Sequence, residues 1–91
     1  MDENYRLDLL KREIMALGSS VYDPLLVANL HTAEEFIKRE GIVLDLENSD
    51  EDNRLVVGYA AWLWRQRENP EMEMPRWLRY NLNNKIFSQK V

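Results

Sequence analysis

Hydrophobic residues recur at helical spacing in four separate segments of the chain. In the first segment they stand three or four positions apart, at Leu7, Leu10, Ile14 and Leu17. Residues with this spacing share one face of an α-helix. The pattern therefore predicts an amphipathic helix over residues 4–17, and the glycine and two serines at 18–20 predict its end.

The second segment has a defined start and a defined stop. Asp23 can accept the free amides of a first helical turn, and Pro24 suits that turn because it has no amide hydrogen. Gly41 favours a left-handed stop. The hydrophobic positions between these ends are Leu26, Leu30, Ala33, Phe36 and Ile37. We expect a helix from residue 23 to about residue 40 that packs on a core.

The third segment is predicted to be the central helix, over residues 50–67. Ser49 can cap it, and three acids follow at its positive end. Its broad apolar face comprises Leu55, Val56, Tyr59, Ala60, Leu63 and Trp64. Trp62 lies off that face, so it needs a second packing partner or an interface.

A polar connection over residues 68–74 leads to a fourth predicted helix, and its two methionines, Met72 and Met74, are expected to be exposed. Pro75 suits the first position of the helix, which extends to about Phe87. One side of it is lined by Trp77, Leu78, Leu82 and Ile86. The asparagines around Asn83 lower helix propensity, so we expect a loose C-terminus.

These elements predict an all-α fold, a small bundle of about four helices in one domain over residues 1–91. Ninety-one residues with 45% hydrophobic content suffice for one core and are too few for two. Hydrophobic residues alternate over 42–46, but this stretch is too short to predict a β-sheet, so we expect a short extended link there. The side chains expected to be buried are Leu30, Ile37, Leu55, Tyr59 and Leu63.

The net charge of −4 conceals an asymmetry between the two halves of the chain. Residues 1–53 carry a net charge of −8 and residues 54–91 a net charge of +4. No acid follows Glu73, whereas the basic residues Arg76, Arg79, Lys85 and Lys90 do. Either the halves neutralise each other within one subunit, or copies meet head to tail in an assembly.

Candidate chemistry is sparse. The chain has no cysteine, and its single histidine, His31, cannot form a histidine pair for zinc. A calcium loop counted from Asp45 would place Asp50 where a glycine is needed and Val56 where a bidentate glutamate should stand. No serine lies in a nucleophile motif, and no glycine cluster suits a phosphate. We therefore expect no metal, no cofactor and no catalytic activity, and no membrane span or export signal.

Arginines alternate with aromatic residues over 62–80, a mixture found in nucleic-acid-binding surfaces. The acidic balance of the whole chain would repel a duplex, however, and the aromatics fall where a helical bundle needs core residues. We interpret these tryptophans and tyrosines as core or subunit-interface residues.

The third and fourth segments read Leu55-Val56-Val57-Gly58-Tyr59-Ala60-Ala61-Trp62-Leu63-Trp64-Arg65-Gln66-Arg67 and Met74-Pro75-Arg76-Trp77-Leu78-Arg79-Tyr80-Asn81-Leu82-Asn83-Asn84. This half of the chain, from about Leu44 onward, resembles the head-tail connector proteins of long-tailed bacteriophages and prophages, which are also called head-completion or DNA-packaging adaptor proteins. The pairing of Tyr-Ala-Ala with Met-Pro-Arg carries most of the resemblance.

The resemblance implies a phage structural protein that forms a homo-oligomeric ring, dodecameric in the family, beneath the portal. Such a ring would bind the portal protein and the next neck or tail-completion protein, and DNA would pass through it without specific binding. The implied location is the virion neck, after assembly in the cytoplasm of a host bacterium. The residues expected at the interfaces are Arg65, Arg67, Met72, Met74, Arg76, Trp77 and Arg79 on the basic side, and Asp50, Glu51 and Asp52 on the acidic side.

Two alternatives belong to other functional classes. Four helices would also permit a small DNA-binding regulator, which a strong salt-dependent affinity for duplex DNA would favour. A protein-binding adaptor that works as a monomer or dimer is the second alternative, and light scattering at rising concentration separates it from a ring-forming protein.

Overall fold

The computed structural model describes residues 2–16 and 18–89 of the chain. Within these residues it contains four α-helices and no strand: α1 (Glu3–Glu13), α2 (Asp23–Arg39), α3 (Asp50–Glu68) and α4 (Arg76–Gln89). The predicted all-α bundle is confirmed. No helix among these residues is long and apolar enough to cross a membrane.

The helix α3 is the centre of the bundle, because α1, α2 and α4 each pack against it. Its middle turns are buried on all sides, from Leu55 to Ala61. A helix that is covered all round needs small residues where its neighbours approach, and Gly58, Ala60 and Ala61 supply them. The other helices contribute the remaining fully buried hydrophobic residues, namely Leu10, Leu26, Leu30, Ala33, Ile37, Leu78 and Leu82.

Four of the five predicted core residues are buried, namely Leu30, Ile37, Leu55 and Tyr59. Leu63 is only partly buried, so that prediction was wrong. The physical reason is that α3 extends past the part of the core that the other helices enclose. From Trp62 to Glu68 it has no fully buried residue.

The helix α1 ends earlier than predicted, at Glu13, and Leu17 lies outside the described residues. Met15 adopts a left-handed φ of 63°. The Met15 amide then donates to the Arg12 carbonyl at 3.3 Å, and the Ala16 amide donates to the Lys11 carbonyl at 2.7 Å. These two bonds form a Schellman motif, which satisfies the free carbonyls of the last turn. These backbone hydrogen bonds end the helix before Gly18, the residue at which the sequence predicted its end.

The other helix boundaries were predicted with mixed success. Gly41 has a φ of 91° as the expected stop after α2, and the Ser49 hydroxyl accepts from the Asp52 amide at 3.1 Å as the expected cap of α3. Asp23 does not cap α2, because it is the first helical residue. Its carboxylate instead lies 2.9 Å from the Lys11 ammonium and ties α2 to α1.

The link over residues 42–46 is irregular rather than a paired strand, with Ile42 buried against the core. The side-chain amide of Gln89 accepts from the Val43 amide at 2.9 Å and donates to the Val43 carbonyl at 2.8 Å. The described C-terminal end is therefore helical to Gln89 and is held to the link, which is more order than the asparagine content predicted. Asn53, which is fully buried, donates to the carbonyls of Leu46 and Ser49 and so fixes the other end of the link.

Candidate protein-interaction surfaces

A groove runs over α3 between α1 and α4. One part, of about 310 Å³, is lined by Leu9, Arg12, Glu13, Arg54, Val57, Gly58 and Trp77. An adjoining part, of about 480 Å³, is lined by Asp50, Glu51, Arg54, Leu55, Trp77 and Asn81. Arg54 and Trp77 line both parts, so the two adjoin each other. We call this surface the α1/α4 groove.

Trp77 forms one wall of the α1/α4 groove, and its position depends on Gly58. A Cβ atom at residue 58 would lie 2.7 Å from Cη2 of the indole. No ordinary carbon contact is that short, so only glycine lets the indole approach α3 this closely. Trp77 remains 49% exposed, which leaves its outer part available to a partner.

The acidic end of the α1/α4 groove holds a hydrogen-bonded set of three side chains. The Tyr5 hydroxyl donates to Asp50 at 2.6 Å, and the Arg54 guanidinium donates to the same carboxylate at 2.7 Å. These hydrogen bonds, first that from Tyr5, lower the pKa of Asp50 below its ordinary value. The same bond to Asp50 raises the pKa of Tyr5. Asp50 therefore stays ionised to a lower pH than an ordinary aspartate does, and it shares the groove wall with Glu51.

Asp52 does not belong to this exposed acidic surface, contrary to the sequence prediction. It is 2% exposed, and its carboxylate lies 2.8 Å from the Lys85 ammonium of the same subunit. The carboxylate also accepts from the Asp45 amide at 2.8 Å. The reason is the helical period, which turns Asp52 inward toward α4 while Glu51 points to solvent.

Arg79 likewise has a partner within its own chain, since its guanidinium donates to the Glu40 carboxylate at the end of α2. Burial, with a smaller contribution from the Glu40 carboxylate, raises the pKa of the neighbouring Tyr59. For Arg79 and Lys85 the two oppositely charged halves of the chain thus neutralise each other inside one subunit. Arg76 is exposed and makes no ion pair with any residue that the structure describes.

Arg65 and Arg67 lie at the far end of α3, away from Asp50 and Glu51. Arg65 donates to the Glu13 carbonyl at 3.2 Å and lies 3.8 Å from the Glu13 carboxylate. Arg67 lies over the Trp64 ring, 4.0 Å from its centroid, and the Tyr22 ring meets that of Trp64 edge-on at 5.3 Å. The ten predicted interface residues therefore do not form one continuous surface.

The connection between α3 and α4 is closer to the core than its composition indicated. Met74 packs against the core, and Met72 is half-buried, with its carbonyl 3.5 Å from the side-chain amide of Gln66. The expectation that both methionines are exposed was therefore wrong. Their role in an interface stays a prediction.

Sequence reasoning missed a second aromatic surface, on the side of α4 that faces solvent. Tyr80 is 67% exposed and Phe87 is 76% exposed. Together with Arg76 they occupy positions i, i+4 and i+11 of one helix, which places them on one face. The sequence predicted the inward side of α4 from Leu78, Leu82 and Ile86, and the burial of Leu78 and Leu82 confirms it; the aromatic residues on the opposite side were not singled out. We call the surface formed by Arg76, Tyr80 and Phe87 the outward face of α4.

Within the described part of the chain, no group of three or more histidine or acidic side chains is arranged to hold a metal ion. His31 is on the surface of α2, 2.7 Å from the Glu3 carboxylate. The described part of the chain is a small four-helix all-α protein with a groove between α1 and α4 and an exposed aromatic face on α4. No protein-family model, curated protein or solved structure matches it.

Proposed function

We propose that this chain is a structural assembly protein of a tailed phage or prophage, which forms a ring beneath the portal and joins the head to the tail. The observation that carries the proposal is the connector-like sequence over residues 55–67 and 74–84. These residues belong to α3, the connection and α4, which together build the groove wall and the outward face of α4.

The surfaces of the subunit suit such a role. A ring forms when one surface of a subunit binds a different surface of its neighbour, and the rotation between them closes. The subunit offers two unlike surfaces, an acid-rimmed groove and an aromatic face with an exposed arginine. Exposed aromatic and arginine side chains are typical anchors of protein interfaces. The channel of the ring would let DNA pass without specific binding.

The test is to mix the purified protein with the portal protein of the phage or prophage whose genome encodes it, and to image the mixture by electron microscopy. We expect one ring of this protein on the portal end. Arg76→Glu should keep the helical circular dichroism spectrum, because Arg76 makes no ion pair within the described subunit. The same variant should weaken the ring, because it reverses the exposed charge of a proposed interface residue. Lys38→Glu, which reverses an exposed charge on α2, is the matched control and should leave the ring intact.

Other outcomes would favour the alternatives. A protein that ignores the portal and binds duplex DNA with a steep salt dependence would be a DNA-binding regulator. A protein that stays a monomer or dimer and leaves the portal bare would be an adaptor for some other partner.

A further inference from the structure

The outward face of α4 is apolar and cationic, and it contains no acid. Tyr80 and Phe87 dominate it, Arg76 begins it, and asparagines fill the turns between. The face points away from the bundle, since Leu78 and Leu82 on the other side of the helix are fully buried. Exposed aromatic residues aligned on one helix face are a feature of helices that bind in a partner's groove.

The α1/α4 groove has the complementary character. Its apolar lining includes Leu9, Val57 and Gly58. Its charged lining consists of the acids Glu13, Asp50 and Glu51 and the bases Arg12 and Arg54, and both bases pair with acids of the same subunit. Glu51 is exposed and has no cation within ion-pair distance among the described residues. Arg54, which lines both parts of the groove, has a side chain that is 63% exposed, and its charge is matched by Asp50 at 2.7 Å. The groove is thus open to an apolar, cationic helix.

The groove and the outward face of α4 cannot meet within one subunit. Asn81 and Trp77 of α4 form the wall of the groove. Tyr80 and Phe87 point roughly 100–120° around the helix from Asn81, because successive residues of an α-helix turn by about 100°. The same chain therefore displays a convex surface and a concave surface that match in charge and polarity but point in different directions.

We propose that the outward face of α4 of one copy docks in the α1/α4 groove of a second copy. Tyr80 and Phe87 cover the apolar floor beside Trp77, and Arg76 pairs with an acid of the rim, Glu51 being the one without an intramolecular cation. Since the two surfaces are unlike, each copy can bind one neighbour on each side, as a ring requires. This docking rests on the proposed function for its biological role, but it is a property of the isolated protein and can be tested alone.

The first experiment measures self-association by sedimentation velocity over a range of protein concentrations. Phe87→Glu places an acid on the face that enters an acid-rimmed groove, and it should weaken self-association by at least about tenfold, as for other central interface residues. The matched control is Val21→Glu, since Val21 is 78% exposed and lies on neither surface. The control should associate like the wild type.

The second experiment blocks the groove from within. Asn81→Arg adds bulk to the wall and a guanidinium that can pair with Glu51, and it should weaken self-association as Phe87→Glu does. Ala28→Arg, which adds the same guanidinium at an exposed position of α2, is its control. Each interface variant keeps one intact surface. An equal mixture of Phe87→Glu and Asn81→Arg should therefore form dimers that neither variant forms alone, and should stop at dimers.

Two results would overturn the docking. In the first, the wild type self-associates, but neither Phe87→Glu nor Asn81→Arg weakens the self-association, or the mixture of the two variants does not recover dimers. The interface would then lie elsewhere, while the proposed function stands. In the other, the wild type stays monomeric up to about 1 mM, a concentration at which a specific contact should be populated. The portal-binding experiment then decides the proposed function independently.

Discussion

Replacing Lys85 by methionine removes the only cation within ion-pair distance of Asp52 among the described residues. The variant keeps most of the apolar stem, so the change isolates the charge. Asp52 is 2% exposed, and its carboxylate would be left with the hydrogen bond from the Asp45 amide. A carboxylate that loses its partner in such a setting keeps its desolvation cost without the compensating attraction.

The magnitude follows from the burial of the two partners. Removing one member of a fully buried ion pair costs about 3–5 kcal/mol. The Lys85 side chain is 19% exposed, so water reaches part of the pair, and we expect a loss of about 2–3 kcal/mol, below the fully buried range. The loss matters because a domain of this size is held by only about 5–14 kcal/mol in total.

The assay is urea unfolding followed by circular dichroism at the helical minimum. Arg12→Met is the matched control, because Arg12 pairs with Asp8 at 3.2 Å but both side chains are more than half exposed. That variant should lose no more than about 0.5 kcal/mol. The double variant of Lys85→Met with Asp52→Asn should be less destabilised than the sum of the single variants. A loss below about 0.5 kcal/mol for Lys85→Met would show that the pair does not hold α4 in place.

Three further predictions concern other parts of the bundle. Met15→Gly should stabilise the protein by about 0.5–1 kcal/mol in the same urea assay, because the left-handed φ of Met15 suits glycine, whereas Met15→Ala should give no such gain. Tyr5→Phe should raise the pKa of Asp50, because it removes the hydrogen bond from the Tyr5 hydroxyl; a pH titration by carbon NMR of the carboxyl group measures this pKa. A carboxylate with a lowered pKa stabilises the fold at pH values above its ordinary pKa, and this stabilisation is lost as the pH falls through the lowered pKa. The free energy of unfolding of Tyr5→Phe should therefore depend less on pH in the acid range than that of the wild type. Leu82→Ala should cost about 2–5 kcal/mol and Leu63→Ala clearly less, because Leu82 is fully buried and Leu63 is not; an equal loss at both positions would contradict the burial pattern.

Much of the fold was readable from local pattern. The spacing of Leu26, Leu30 and Ile37 predicted α2 and its buried face, and Gly41 predicted the stop, because helix periodicity and left-handed backbone are properties of short segments. The end of α1 was not readable. It depends on a non-glycine residue, Met15, in a conformation that its side chain disfavours, and no residue type announces that.

The candidate surfaces were less predictable, because charge alone does not say where a side chain points. Arg79 and Arg76 look alike in the sequence, but Glu40, which is 39 residues from Arg79, pairs with the first and leaves the second exposed. Asp52 and Glu51 are neighbours of the same charge, and only the position of Lys85 on α4 made one a buried residue and the other a rim residue.

What the sequence by itself determined is the set of four helices and the buried face of most of them, since both follow from spacing along one segment. The tertiary structure alone decided that Trp77 lies over Gly58 to shape a groove, and that Gln89 holds the link through Val43, 46 residues away. Each of these contacts joins segments that are far apart in the chain, so it depends on how the helices pack and not on any local pattern.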